Sequence, residues 1–269
     1  MSAVGIDHAV VSVRDQMDHA ADLYRRLGFT LTPRGFHKVG SNNHLMVFAH
    51  DYLELIGFPL GGEHLRPDLT ASPIGLDGLV LQTSDADATY RDLIARGFAP
   101  DGPTTLARPI EIDGRAEEAR FATVRFPREA IEGGRLYFCQ HLTPQFVWRP
   151  QWMQHANGAT GIKRFIIVVA NPAREAARYK AMLGESVPEI ELVTAAEFIG
   201  SFGNAVPDPH DVCGERRASY MAAVSIRITD ATECARVLKA NGVAYSVDRA
   251  DRIVVAAHDA MNCTLVFEV

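Results

Sequence analysis

The sequence predicts an α+β chain built from tandem β-α-β-β-β modules, present three or four times. Three observations carry that prediction. Val- and Ile-rich runs of strand length open at Gly5, Gly75 and Gly161, reading GIDHAVVSV, GLDGLVLQT and GIKRFIIVV. Each is followed by a helical pattern that stops at a glycine. Gly5 to Gly28, Gly75 to Gly97 and Gly161 to Gly184 therefore span 23, 22 and 23 residues, a repeat spacing hard to reach by chance. Further strand-like runs then follow the first two helices before the next module opens.

Taken in order, the helices show apolar residues at helical spacing, such as Ala20, Leu23, Tyr24 and Leu27, or Tyr90, Leu93 and Ile94. Asp15, Asp85, Asn171 and Asp230 precede the helices, where a short polar side chain can accept from the first free N–H groups. Gly28, Gly97, Gly184 and Gly242 end them. Strand candidates in the first module are FTLTPRGF, HLMVFAH and YLELIGF. In the second they are PIEIDG, ARFATVRF and RLYFCQH. A fourth, weaker copy opens with MAAVSIRIT at Met221 and ends in TLVFEV. The third is irregular after its helix, where EIELVTAAEFIGSFG suggests a lost or altered hairpin. The expected organisation is an N-terminal pair of modules over residues 1–142, a segment 143–160, and a degenerate C-terminal domain over 161–269. The middle segment holds both tryptophans, Trp148 and Trp152, with His155 and Asn157. It reads either as a linker packed on the core or as a lid walling a pocket.

A chain of 269 residues with 47% hydrophobic content is long enough to bury a large core. The net charge of −6 comes without a basic block, which argues against a general nucleic-acid binder. No apolar run approaches the ~18 residues of a membrane span, and the start does not read as a signal peptide, so a soluble, cytoplasmic protein is expected. Four cysteines without CxxC spacing fit reduced thiols. Serine-elbow, P-loop and dinucleotide glycine motifs are missing, which disfavours acyl transfer by serine and nucleotide chemistry.

The repeated scaffold carries its histidine once. His8 sits in the first opening strand, while Gly78 and Arg164 take the matching positions in modules two and three. A lone strand histidine is ordinarily a core residue, but the repeat singles this one out. Glu54 alternates with Leu53 and Leu55, so it faces either open water or a buried partner. His37 and Asn43 lie on the Gly-rich hairpin GFHKVGSNN, as a solvated turn or as substrate contacts. HANG, with His155 and Asn157, makes a good turn.

An "Ile-Asp-His-apolar" first strand and a "Leu-Glu-Leu" last strand in a tandem β-α-β-β-β unit resemble the vicinal oxygen chelate superfamily. Residues 35–43 with Tyr52-Leu53-Glu54-Leu55 look like its glyoxalase-like branch, alongside glyoxalase I, extradiol dioxygenases and bleomycin-resistance proteins. The resemblance implies two half-open, barrel-like curved sheets with metal ligands pointing into the cup. It carries His8 and Glu54 over as ligands, with positions left open for substrate oxygens. The second module supplies Gly78 instead of a histidine. Its last strand offers Gln140, which matches Glu54 when LEL is set against CQH, or His141, the better ligand. Strand alternation admits only one of them, and a His8–His141–Glu54 set is preferred. In the C-terminal half, Glu268 alone echoes Glu54. The implied activity is that of a metal-dependent lyase, isomerase or dioxygenase using Fe(II), Mn, Ni or Zn on a small oxygenated molecule. His37 or Tyr137 would move a proton, and Trp148, Trp152, His155, Asn157 and Asn43 would line the pocket. The alternative is a metal-free binding protein of bleomycin-resistance type. A homodimer is plausible by resemblance.

Overall fold

A computed structural model describes residues 5–112, 114–184 and 188–269. Within them the chain forms β1 (Ile6–Arg14), α1 (Met17–Arg26), β2 (Gly35–Phe36), β3 (Asn42–Val47), β4 (Tyr52–Gly57), α2 (Pro67–Thr70) and β5 (Gly75–Gln82). These are followed by α3 (Ala86–Ala95), β6 (Thr104–Ile112), β7 (Arg115–Arg125), β8 (Arg135–His141), β9 (Ala159–Val168) and α4 (Pro172–Leu183). The chain ends with β10 (Ile190–Val193), α5 (Ala195–Phe202), β11 (Tyr220–Ile228), α6 (Ala231–Ala240), β12 (Ser246–Val247), β13 (Ile253–Val255) and β14 (Thr264–Glu268). Asp113, within the PIEIDG run, lies outside the described residues.

The strands make an eight-stranded sheet in the order β2-β3-β4-β1-β5-β8-β7-β6 and a six-stranded sheet in the order β10-β9-β11-β14-β13-β12. Each module pairs its first strand in parallel with its last, β1 with β4 and β5 with β8. The two first strands run antiparallel at the centre, β1 against β5 and β9 against β11. The larger sheet curls until its edge strands β2 and β6 touch, making a nearly closed cup. In the third module the hairpin is missing. β10 pairs directly with β9, and α5, started by a Thr194/Glu197 capping box, follows it.

Helix ends follow the sequence signals with one exception. Asp85, Asn171 and Asp230 cap α3, α4 and α6, and Gly28, Gly97, Gly184 and Gly242 leave their helices with φ of 90°, 83°, 78° and 66°. The expected Asp15 cap does not form. Arg14 takes a left-handed φ of 52° at the strand end, and the N-cap position falls to Gln16 without a side-chain bond.

One apolar core joins the two sheets. Val11, Leu79 and Phe138 from the first sheet meet Phe165, Met221 and Phe267 from the second, with Tyr24, Leu93, Met182 and Leu238 from the helices. The opposite face of the first sheet carries a separate cluster of Val10, Ile56, Val80, Tyr137 and Cys139, the floor of the cup. Strand alternation therefore fixes which side chains can serve a site. On β1 these are His8, Val10 and Ser12, and on β4 they are Tyr52, Glu54 and Ile56. The equivalent face of the second sheet is plugged. Phe198 from α5 packs on Ile166, Val168, Tyr220 and Ala222.

Candidate functional site

The cup encloses a cavity of about 620 Å³, lined by His8, His37, Ser41, Asn43, Tyr52, Glu54, Arg66, Arg108, Phe121, Arg125, Arg135, Tyr137 and Cys139, among others. Its centre is built by an irregularity in β1. The register runs from Ile6 opposite Leu81 to His8 opposite Val80, leaving Asp7 as the extra residue of a β-bulge. A bulge places two successive side chains on one face. Asp7 and His8 thus stand side by side.

Asp7 Oδ1 takes two hydrogen bonds, one from His8 Nδ1 at 2.5 Å and one from His141 Nε2 at 3.1 Å. Burial by itself raises the Asp7 carboxyl, but the bonds from His141 and His8 outweigh it and hold the group below its ordinary value. An ionised carboxylate only accepts, so both imidazoles present N–H to it. That turns His8 Nδ1 toward Asp7 and leaves its Nε2 facing the cup. Tyr52 stacks on the His8 ring, 4.3 Å between centroids and 13° between planes, and fixes its orientation. Glu54 Oε2 lies 3.7 Å from His8 Nε2 and the Tyr137 hydroxyl lies 3.1 Å from it. Burial and the Glu54 charge push the Tyr137 phenol upward, so it stays protonated and donates to Nε2. Asn43 Nδ2 donates to Glu54 Oε1 at 2.6 Å, and Arg108 Nη1 donates to Asn43 Oδ1 at 3.2 Å.

The strand registers correct two sequence expectations. Val10 faces Glu54 in the β1–β4 pair, and the matching Val80 faces Tyr137 in the β5–β8 pair. Tyr137, not Gln140, therefore holds the position equivalent to Glu54. Gln140 lies on the helix side, accepting from Ala86 N and donating to Ser84 O. In the third module Ile166 faces Glu191, so Glu191 rather than Glu268 echoes Glu54. There Arg164 binds both Glu191 and Glu268, at 3.2 and 3.4 Å, and Lys163 binds Glu268 at 3.3 Å. Both carboxylates are thus paired with cations, unlike Glu54 in the first sheet.

Gly78 shares its face with Val10. A Cβ there would stand 2.8 Å from Val10 Cβ, so no ligand side chain fits beside the present neighbour. His141 shares the face of Tyr137 and Cys139 but stands behind Asp7 and does not line the cavity. Its Nδ1 is buried without a hydrogen-bond partner. Among the described residues, the metal-ligating side chains with all donor atoms within 4.8 Å of one another are Asp7, Cys139 and His141. The His8–Glu54–His141 set does not converge in this way. In the Asp7–Cys139–His141 group, Asp7 Oδ1 already accepts from both His8 and His141, and burial raises the Cys139 thiol.

His37 and Asn43 line the cavity. Arg66 donates to Ser41 Oγ at 2.6 Å, and Ser41 Oγ lies 2.9 Å from His37 Nδ1. Burial lowers His37 to about 4, with the Arg108 and Arg66 charges adding to it, so the ring is neutral near pH 7. The aromatic segment does not line the cavity. Trp152 and Val147 pack on Leu45, Val47 and Tyr52. Trp148 sits edge-on to His141 at 4.6 Å, outside the Asp7 row. His155 accepts from Thr30 N and donates to Val47 O, while Asn157 donates to Leu27 O and accepts from Ala159 N. These polar bonds tie the segment to the outer wall of the cup, which is why it is not a lid.

Sequence reasoning missed Asp7, Tyr52 and Arg108. The first carried a signal, since Asp7 and Asp77 recur at one repeat position and both prove to be bulge residues. Asp77 binds Arg128 and Arg135 where Asp7 binds two histidines. Arg108 lies in β6 and carried no such signal.

A family model for a glyoxalase-like domain matches residues 6–183. No protein among the curated ones matches the sequence. Solved structures of similar fold include a hypothetical protein from Staphylococcus aureus, 14% identical, covering 98% of this chain and 99% of that one with a TM-score of 0.66. A mutant of 4-hydroxymandelate synthase from Streptomyces coelicolor is 13% identical, covering 99% of this chain and 93% of that one, with a TM-score of 0.61. A xylose isomerase-like TIM barrel/4-hydroxyphenylpyruvate dioxygenase fusion protein is 13% identical over 98% of this chain and 48% of its own, with a TM-score of 0.59. With its matched family model and its paired β-α-β-β-β cup, the chain belongs to the glyoxalase-like domain family.

Proposed function

We propose that the chain is a metal-dependent enzyme of the vicinal oxygen chelate type, acting on a small oxygenated organic molecule held in the N-terminal cup. The observation that carries this reading is the Asp7–His8–Glu54 arrangement. A carboxylate behind Nδ1 is the usual support of a metal-binding imidazole, since it fixes the tautomer and raises the basicity of the other nitrogen. His8 Nε2 and Glu54 Oε2 lie 3.7 Å apart, less than twice a metal–ligand bond of about 2.1 Å. They would hold a divalent cation of the Fe(II), Mn, Ni or Zn class, with Tyr137 as the neighbouring oxygen in the Glu54-equivalent position and His141 as support for Asp7. Such a cation supplies a Lewis acid for two substrate oxygens side by side. Tyr137 presents a protonated phenol to the same space, and neutral His37 and Asn43 present polar contacts on its far wall. Isomerase, lyase and dioxygenase chemistry share these requirements.

Metal analysis of the purified protein tests this reading. Protein grown with ample metal is expected to carry about one divalent ion per chain, and His8→Ala to carry almost none. Wild-type protein that arrives empty and takes up none of the four metals would end it. One observation favours a second reading, a metal-free binding protein. Gly78 supplies no third strong ligand, and Tyr137 already occupies His8 Nε2. That reading expects ligand binding in the cup to be unchanged by a chelator.

A further inference from the structure

The cavity wall carries more positive charge than its own carboxylates use. Of its two acidic groups, Glu54 is bound by Asn43, and Asp68 is bound by Arg66 at 2.6 and 2.8 Å. Arg135 is paired with Asp77 beneath the floor. Two guanidinium groups remain, and among the described residues no carboxylate lies within salt-bridge distance of either. Arg125 rests over the Tyr137 ring at 4.6 Å and bonds Thr123. Arg108 is 3% exposed, and its one hydrogen-bonded partner is the neutral amide oxygen of Asn43.

Arg108 is also a built feature of the fold. It comes from β6 and crosses the seam where β6 meets β2. A Cβ on Gly35 would lie 2.2 Å from Arg108 Nη1 and 2.4 Å from Asn43 Oδ1. The missing side chain at Gly35 is therefore the space through which the guanidinium enters the cup. A buried guanidinium without a counter-charge is expensive unless an anion completes it. The planar fork of arginine matches a carboxylate with two parallel N–H···O bonds. Leu45, Ile56, Leu106 and Phe121 supply apolar wall beside it.

We propose that Arg108 is the recognition residue for a carboxylate on the substrate, so that the cup takes small organic acids with an apolar body. This rests on the substrate-cup reading above, but not on its metal. The Glu54 charge favours Arg108 but reaches it only across the Asn43 amide, with no ion pair between them, so the guanidinium edge is left for an incoming carboxylate.

The test compares acids with their neutral amides in a binding titration of the full chain. Phenylacetate and 3-phenylpropanoate are measured against phenylacetamide and 3-phenylpropanamide, with phenyl phosphate as a third anion. Each acid is expected to bind at least about tenfold more tightly than its amide. Arg108→Gln is expected to erase that difference while leaving amide binding unchanged, and Arg108→Lys to keep part of it. If Arg108→Gln does not fold, the acid–amide comparison on wild type still decides. Acids and amides binding alike, or not at all, overturns the proposal, as does an unchanged preference in Arg108→Gln. A preference for phenyl phosphate over both carboxylates overturns the carboxylate assignment. The titration is repeated on chelator-treated protein. A preference that survives there, in protein that takes up no metal, supports Arg108 while the metal reading falls. A preference lost with the metal assigns the carboxylate to the cation and removes Arg108 from the role.

Discussion

A single oxygen, Oδ1 of Asp7, accepts from two histidines, His8 at the cavity wall and His141 behind it. It explains how a strand histidine flanked by Ile6 and Val10 is held in one orientation at the cavity wall. Asp7→Asn keeps the shape but loses the charge that both N–H groups require. We expect metal affinity to fall about 10- to 100-fold, measured by competition with a chelating dye, with a larger loss in Glu54→Gln. Asn157 makes the contrasting case. Its buried amide bonds Leu27 O and Ala159 N and touches no cavity atom, so Asn157→Ala should cost about 1–3 kcal/mol in urea unfolding while ligand binding stays unchanged. A binding defect in a stably folded Asn157→Ala would restore that segment to the site.

At the scale of elements, the module repeat was legible because strand and helix periods and helix-ending glycines are local properties of sequence. His8, Glu54, Asn43, His37 and Tyr137 could be chosen from the same patterns, and all five line the cup. What could not be read was register. Pairing partners depend on which strands meet and at what offset, and it was the β5–β8 register, Val80 opposite Tyr137, that put Tyr137 rather than Gln140 in the Glu54-equivalent position. The contacts of Arg108 depend on the β2–β6 seam, which joins distant stretches of chain. Gly78 gives a test of the packing argument. Gly78→Ala should lose about 1–3 kcal/mol through its clash with Val10, and Val10→Ala in the same chain should recover part of it. Additive losses in the thermal melts of the double variant would contradict the contact.

Across the whole molecule the duplicated scaffold has diverged into one open cup and one filled one. α5 plugs the second sheet, and Arg164 and Lys163 neutralise the carboxylates where the first sheet keeps His8 and Glu54 accessible. The halves are joined by a shared core and by Asp51, which accepts from Ile162 N at 2.8 Å. Burial raises the Asp51 carboxyl from 3.8 to about 7, with Asp7 adding to the rise and the Ile162 bond and Arg227 opposing it. The folded chain therefore keeps a proton that the unfolded chain releases. Stability from this group is present below the unfolded value and declines as pH rises through about 4 to 7. Asp51→Asn should remove that decline, so its melting temperature should gain on wild type between roughly pH 4 and 7. A constant difference would show that Asp51 titrates normally. The central claim is that His8 and Glu54 form the metal centre of the first cup. Titrating metal-free protein with Co(II) and following the visible absorption of the bound ion tests it most directly. One saturable site is predicted in wild type, with the band lost in His8→Ala and Glu54→Gln but kept in Glu191→Gln. A wild-type spectrum that stays that of free Co(II), or one unchanged in His8→Ala, would contradict it.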